Sequence, residues 1–338
     1  MTTAQESLET HPEQPSQPAL ASWRTVLDRL APLAFLIALS ILFGALKREF
    51  FTVENLLNIA TQISVIAVLA IGETFVIVAA GIDLSVGSMV ALTGCTAALL
   101  MKTPALAALG HGWALAAVAG ILVGAFWGLF NGLLVTRAKL PPFIVTLGVM
   151  GIARGLALAV AHDRTISGLP DAFTRLGSHR VGGAVPLLVL AMLAVALLAH
   201  LALTRTRLGR YAYAMGSNLE ATRLSGVNVG LYMTGLFVVC GTLAGLAGVM
   251  EAARTAIGQP TGANLYELDA IAAAVIGGAS LMGGEGSITG TLIGAFIMAV
   301  IRNGCNLLVI PPSWQRVAIG TIIIIAVLWD HLRQRRQR

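Results

Sequence analysis

Glu73 is the one carboxylate that falls well within an apolar run of this chain. A polar cluster follows it, Gly81-Ile82-Asp83-Leu84-Ser85-Val86-Gly87-Ser88. One carboxylate and two hydroxyls so placed offer hydrogen bonds to a polar solute rather than a covalent step. An ionisable group inside an apolar segment is costly and marks a functional site by default. The plainer reading of Glu73 is a hydrogen-bonded acid near one end of its helix. Asp83 also has two readings. Gly81 can break one helix and Asp83 can cap the next, accepting from amides near Ser85 and Val86. Alternatively, the break lies beside a solute pathway, as in transporters built on discontinuous helices.

Other polar residues interrupt the apolar runs. Arg154, Arg302 and Arg316 map to the outer half of their segments, where they either line a vestibule or snorkel to the interface. Snorkelling is the preferred reading for Arg316. Asn131 and Asn303 each open an Asn-Gly pair. Hydrogen bonds between helices explain them, and both stay among the pathway candidates. Gly283-Gly284-Glu285-Gly286-Ser287 resembles the first break, with Ser287 as the cap. No catalytic set is present: no Gly-x-Ser-x-Gly elbow, no His-Glu-x-x-His pair and no GxxxxGK[ST] phosphate loop. Cys95, Cys240 and Cys305 have no metal or disulfide spacing and read as small buried apolar residues.

The stretch Leu203 to Gly230 organises the rest. It carries Arg205, Arg207, Arg210 and Arg223 against one acid, Glu220. Ser217 or Asn218 can cap a short helix through Leu219, Glu220, Ala221, Thr222, Arg223 and Leu224, which Gly226 can end. A short, stiff, capped helix between two membrane spans can dock on another protein.

The elements that must position these residues follow from composition. The chain has 338 residues, of which 57% are hydrophobic and 11% charged, and its mean hydropathy is +0.83. A soluble domain carries about 25% charged residues, so most of this chain must face lipid or other spans. A spanning helix takes roughly 20 apolar residues, which predicts an all-α polytopic membrane protein of about ten spans. We place them near 30–46, 56–80, 84–101, 113–135, 143–161, 184–203, 230–252, 267–282, 287–309 and 314–329. The segments around 72–88 and 277–287 could instead be re-entrant or discontinuous. Residues 1–29 read as a disordered cytoplasmic tail, 30–330 as the transmembrane domain with a cytoplasmic loop at 204–229, and 331–338 as a basic cytoplasmic tail. The net charge of +6 invites a nucleic-acid reading, but the basic residues sit beside spans and argue against it. Many of the 37 glycines recur every fourth residue, as in Gly120, Gly124 and Gly128, or Gly241 and Gly245, spacing that lets helices approach closely.

An even number of spans puts both termini on one side. Of the 22 Lys and Arg residues, twelve fall on that side, seven on the other and three inside spans. Basic loops stay in the cytoplasm, which predicts cytoplasmic termini. The largest outer loops are then His162 to Gly183 and Arg254 to Tyr266.

Four blocks carry a family resemblance: GIDLSVGSMVALTG at 81–94, LPPFIVTLGVMGIARGLAL at 140–158, TRLGRYAYAMGSNLEATRLSGVNV at 206–229 and YELDAIAAAVIGGASLMGGEGSITGTLIGA at 266–295. In these blocks the chain resembles the permease subunits of ATP-binding-cassette importers for monosaccharides, of the ribose, xylose and galactose type. The resemblance implies a permease that works as a homodimer or paired with a similar permease in the bacterial inner membrane. It implies no enzyme activity and no cofactor of its own, ATP being bound by a cytoplasmic ATPase subunit. A periplasmic or lipid-anchored sugar-binding protein would deliver substrate, with ribose the first choice. Ser217 to Gly226 would be the helix that docks on the ATPase. Relatives often read Asn-Glu-Ala-Ala-Thr-Arg there. Here the acid stands one residue later, about 100° around the helix, so the docking site carries over, with Glu220 among its coupling residues but facing a different direction from the relatives' acid. The competing reading is a proton-coupled secondary transporter, which would show several carboxylates deep in the bilayer.

Overall fold

The structure is a computed structural model that describes residues 20–335. It contains α1 (Leu20–Leu46), α2 (Val53–Val78), α3 (Val86–Met101), a single turn α4 (Pro104–Ala107), α5 (Gly112–Thr136), α6 (Pro142–Val160) and α7 (Asp171–Ser178). There follow α8 (Leu187–Arg205), α9 (Arg207–Ser217), α10 (Leu219–Leu224), α11 (Val229–Thr255), α12 (Tyr266–Ile276), α13 (Ile288–Leu307) and α14 (Pro312–Arg335). The two strands, Arg180–Val181 and Val185–Pro186, form a small hairpin ahead of α8.

Ten of these helices correspond to the ten expected segments. Among the described residues, six are long and apolar enough to cross a membrane: α2, α5, α6, α8, α11 and α13. Two shorter apolar stretches, Ala31–Leu46 of α1 and the whole of α3, join them. Three expected boundaries move. The first helix opens at Leu20, not at 30, so residues 20–29 are helical; residues 1–19 of the expected tail lie outside those described. The last helix continues to Arg335, into the expected basic tail, of which 336–338 lie outside the described residues. The expected span 267–282 ends as a helix at Ile276, because Gly277 and Gly278 stop it, Gly278 with φ +93°. At 1.5 Å per residue its 11 residues rise about 16 Å, half of a hydrocarbon core.

Burial ranks the helices. In α2, 89% of the apolar window is buried, and in α11 67%, against 22–28% in α5, α6 and α8. A helix that is apolar all round belongs in the interior, and α2 is buried without interruption from Ile63 to Val78. It packs on α11, α13, α12 and α8. A buried pair of hydroxyls, Thr74 and Thr291 at 2.7 Å, ties it to α13.

The glycine spacing does its packing between α5 and α11. A Cβ added at Gly124 would lie 2.3 Å from the Gly241 carbonyl oxygen and 2.7 Å from the Gly245 Cα. One added at Gly241 would lie 2.4 Å from the Gly124 carbonyl oxygen. Only hydrogen fits on either side, which is what small-residue spacing achieves in membranes. We expect Gly124→Val to force these backbones apart and destabilise the fold by about 3 kcal/mol, seen as a large drop in the thermal unfolding midpoint in detergent. Gly151→Val, where nothing lies within 4 Å, should leave that midpoint unchanged.

Candidate functional site

The first break is held from five directions. After α2, Ala80 turns with φ +61° and Gly81 donates back to the Val76 carbonyl at 2.9 Å. Glu73 Oε1 accepts the Asp83 amide at 3.0 Å, reaching across the break from the preceding helix. Asp83 Oδ1 accepts the Ser85 amide at 2.9 Å and the Ser85 hydroxyl. Asn131, from α5, donates to Asp83 Oδ2 at 3.2 Å and to Ser85 Oγ at 3.0 Å. Thr146 of α6 donates to the Ile82 carbonyl at 3.2 Å, and the Cys240 thiol of α11 to Glu73 Oε2 at 3.5 Å. Non-helical backbone at membrane depth survives only where its polar groups are satisfied by protein, and these side chains do that work.

The geometry therefore gathers four pathway candidates, Glu73, Asp83, Ser85 and Asn131, into one cluster with no exposed surface. Ser88 is buried one turn further into α3. In this conformation none of the five faces an open channel. Asp83 sits two residues before the formal cap Ser85, so it stabilises the turn into α3 rather than the first helical amides. Asn131 Oδ1 has no hydrogen-bond partner among the described residues.

The other candidates lie elsewhere. Arg154 donates to the carbonyls of Pro260 and Gly262, both at 2.8 Å, and pins the loop between α11 and α12. Asn303 exchanges two amide hydrogen bonds with Asn55, at 2.8 and 3.0 Å, tying α13 to α2. Arg316 is exposed on α14.

The helix α10 lies at the end of the bundle where α2 finishes. Asn218 caps it, its Oδ1 accepting the Ala221 amide at 2.9 Å, while Ser217 closes α9. Gly226 takes φ +81° past its C-terminus. Thr222 is buried and donates to the Asn218 carbonyl at 2.8 Å. The outward face carries Leu219, Glu220, Arg223 and Leu224, the last 79% exposed. Glu220 and Arg223 are 3.8 Å apart, one turn apart on the helix and well solvated; such a pair contributes little.

The segment before α10 is wedged into the bundle. A Cβ at Gly216 would lie 1.9 Å from the Val78 carbonyl oxygen and 2.3 Å from the Gly284 nitrogen. Gly284 donates to that same Val78 carbonyl at 2.8 Å. The Tyr213 hydroxyl donates to the Gly286 carbonyl at 2.7 Å, and burial pushes its phenol up. Ser287 caps α13 by accepting the Gly290 amide at 3.1 Å. So α9, the end of α2 and the glycine loop 277–287 meet at one point.

Sequence reasoning did not single out a polar network at the opposite end. Arg254 forms a two-pronged pair with Glu251, at 2.8 and 2.9 Å, and the Tyr266 hydroxyl lies 3.5 Å from the same carboxylate. Arg302 of α13 pairs with buried Asp269 of α12 at 2.6 Å. The signal was legible in principle: two neighbouring apolar segments hold charges of opposite sign, Glu267 and Asp269 in one and Arg302 in the next, and buried charges need partners.

A bundle with two broken helices, buried polar junctions and an exposed capped helix between spans is a membrane permease. Residues 55–327 match the family described as branched-chain amino acid transport system / permease component, and the chain belongs to that family. Among curated proteins it is 41% identical over 312 residues to the ribose import permease protein RbsC of Escherichia coli K12, covering 91% of this chain and 95% of that one. It is 39% identical to the D-allose transport system permease protein AlsC of the same strain, covering 88% and 90%. It is 32% identical to the xylose transport system permease protein XylH, covering 90% and 92%. No solved structure matches the chain.

Proposed function

We propose that this protein is the membrane subunit of an ATP-driven monosaccharide importer, with ribose as the first candidate substrate. What supports the reading most is the end-to-end similarity to a ribose import permease, 41% over 91% of the chain. The similarity to allose and xylose permeases supports an aldose over an amino acid, although the family takes its description from the latter.

The mechanism follows from the two ends of the bundle. α10 is the docking element for a separate ATPase, which binds the ATP. It offers exposed Leu219 and Leu224 for a hydrophobic groove and Arg223 for an acidic rim. Its end, with both termini, faces the cytoplasm, and a sugar-binding protein meets the loops at the opposite end. There the loops 162–183 and 254–266 are joined by a bridge between Ile166 and Gly258, with reciprocal hydrogen bonds of 2.8 Å. Two permeases, identical or similar, line one pathway in the inner membrane. ATP and the loaded binding protein shift the population between two packings of the bundle. Force enters at α10 and passes through Gly216 and Tyr213 to the end of α2 and to the loop 277–287. Both breaks, with Glu73, Asp83, Ser85, Ser88 and Asn131 at the first, lie on that route.

The proton-coupled reading gains nothing from the geometry. Glu73 accepts the Asp83 amide, Asp269 pairs with Arg302 and Glu251 pairs with Arg254. The test is uptake of D-ribose into proteoliposomes holding the permease, its ATPase and its binding protein. Uptake should require all three and ATP; uptake driven by a proton gradient without the ATPase would overturn the reading. Orientation is tested separately. Leu224→Cys, in a background with the three buried cysteines replaced by alanine, should react with an impermeant maleimide in inverted vesicles and not in intact cells.

A further inference from the structure

Two cavities open beside the Asp269–Arg302 pair. One, of about 50 Å³, lies between α2, α11, α12 and α13, with Gln62, Arg254, Tyr266, Asp269 and Arg302 in its wall. The other, of about 340 Å³, lies between α12, α13 and α14, and Asn306 and Gln315 add to its wall. Tyr266, Asp269 and Arg302 belong to both walls, so the ion pair and the phenol form the partition between them. The larger volume falls within the range of small-molecule sites, about 300–1,000 Å³. The smaller has room for a few waters.

We propose that this partition is a sugar-contacting site within the permease itself, taking a neutral polyhydroxy solute from the larger cavity. The inference rests on the importer reading and deepens it. Its chemistry is complementary to an aldose. The Asp269 carboxylate accepts from hydroxyls, and the Arg302 guanidinium donates several hydrogen bonds in a fixed fork. The side-chain amide of Asn306, in the wall of the larger cavity, does both. The Tyr266 ring offers an apolar face for the C–H side of a sugar ring, with a hydroxyl at its edge. A neutral solute can add its hydroxyls to the Asp269–Arg302 pair without unbalancing it, and Arg316, in the wall of the same cavity, adds further donors.

The surroundings fit a site. Arg302 remains 34% exposed beside an Asp269 that is 5% exposed, so one partner of the pair is open to the cavities. The loop leading into α12 holds three residues without glycine's freedom in left-handed backbone: Ala256 (φ +59°), Ala263 (φ +52°) and Leu265 (φ +67°). Such strain persists where the surroundings impose it and clusters at ligand-handling sites. Arg154 supplies part of that restraint through the Pro260 and Gly262 carbonyls.

A purely structural ion pair and a sugar-contacting one differ in what happens when both charges are replaced together. Exchanging a buried pair for apolar residues of similar size is often neutral for stability. In the reconstituted importer, Asp269→Leu with Arg302→Met should keep basal ATPase activity, and its stimulation by the loaded binding protein, within about twofold. ATP-driven uptake of D-ribose should fall by about tenfold or more, because the hydroxyl partners are gone. The double variant Asp269→Asn with Arg302→Gln should recover part of the uptake and alter the order of preference among D-ribose, D-allose and D-xylose. Parental uptake and parental preference in both double variants would overturn the proposal. So would a parallel fall of uptake and stimulated ATPase in both, which would assign the pair to the scaffold. Failure of the parent complex to take up any of the three sugars would instead count against the importer reading, and this one would fall with it.

Discussion

Gly216→Val is expected to reduce ATP-driven uptake about 100-fold, and to return binding-protein-stimulated ATPase to its basal level. A Cβ at 216 meets the Val78 oxygen at 1.9 Å and the Gly284 nitrogen at 2.3 Å. Both are backbone atoms of elements pinned elsewhere, so neither can move aside as a flexible side chain would. The new methyl groups must lift α9, and with it α10, off the end of α2 and the loop 277–287. Overpacking costs of this kind run to about 3 kcal/mol, and about 2.7 kcal/mol corresponds to the 100-fold expected. Most of the bundle should survive, because the seat takes in only the last turn of α2, while the rest of α2 and the glycine contact between α5 and α11 lie away from it. Thermal unfolding should therefore shift by only a few degrees. Gly110→Val is the control: nothing lies within 4 Å of that position, and uptake should be unchanged. Tyr213→Phe, which removes only the 2.7 Å bond to the Gly286 carbonyl, should weaken stimulation by a few fold. Parental uptake by Gly216→Val would show that α10 is not mechanically joined to the two breaks.

The parts of this architecture that are legible in the sequence are local. Asn218, Gly226, Ser287 and the Gly81–Ser85 turn act through backbone within a few residues of themselves, so residue type and spacing suffice to read them. Apolar length gives the long spans for the same reason. What the sequence hides depends on partners distant along the chain. Glu73 looks like a solitary acid in an apolar run until the return of the chain brings the Asp83 amide to its carboxylate. Arg154 looks like a vestibule or snorkelling residue until a loop about 100 residues later supplies two carbonyls. The shortness of α12 is hidden differently. Its apolar run continues past Ile276 through Gly277, Gly278 and Ala279, and hydropathy does not register that Gly278 adopts φ +93° there. The Asp269–Arg302 partition is hidden as Glu73 is, because its two charges lie on different helices, 33 positions apart in sequence.

Asp83→Ala is expected to be among the most destabilising substitutions in the chain. It would leave the Ser85 amide, the Ser85 hydroxyl and one Asn131 donor without the carboxylate, all in a site with no exposed surface. A buried donor left unsatisfied costs about 1–3 kcal/mol, so the sum reaches several kcal/mol even if one donor finds another acceptor. Folded yield and thermal midpoint should both fall sharply, and uptake should fall in proportion to the folded protein. Asp83→Asn keeps one acceptor oxygen in place and should lie between. Glu73 allows a finer separation of structure from transport. It accepts the Asp83 amide at 3.0 Å and the Cys240 thiol at 3.5 Å. Glu73→Gln retains an oxygen for the first, and should keep both the fold and most of the uptake, whereas Glu73→Ala should lose about 1–3 kcal/mol of stability. If Glu73→Gln folds as the parent does but fails to transport, the carboxylate serves the moving solute and not only the break. The distinction is sharp because the amide preserves shape and one acceptor while removing the acid.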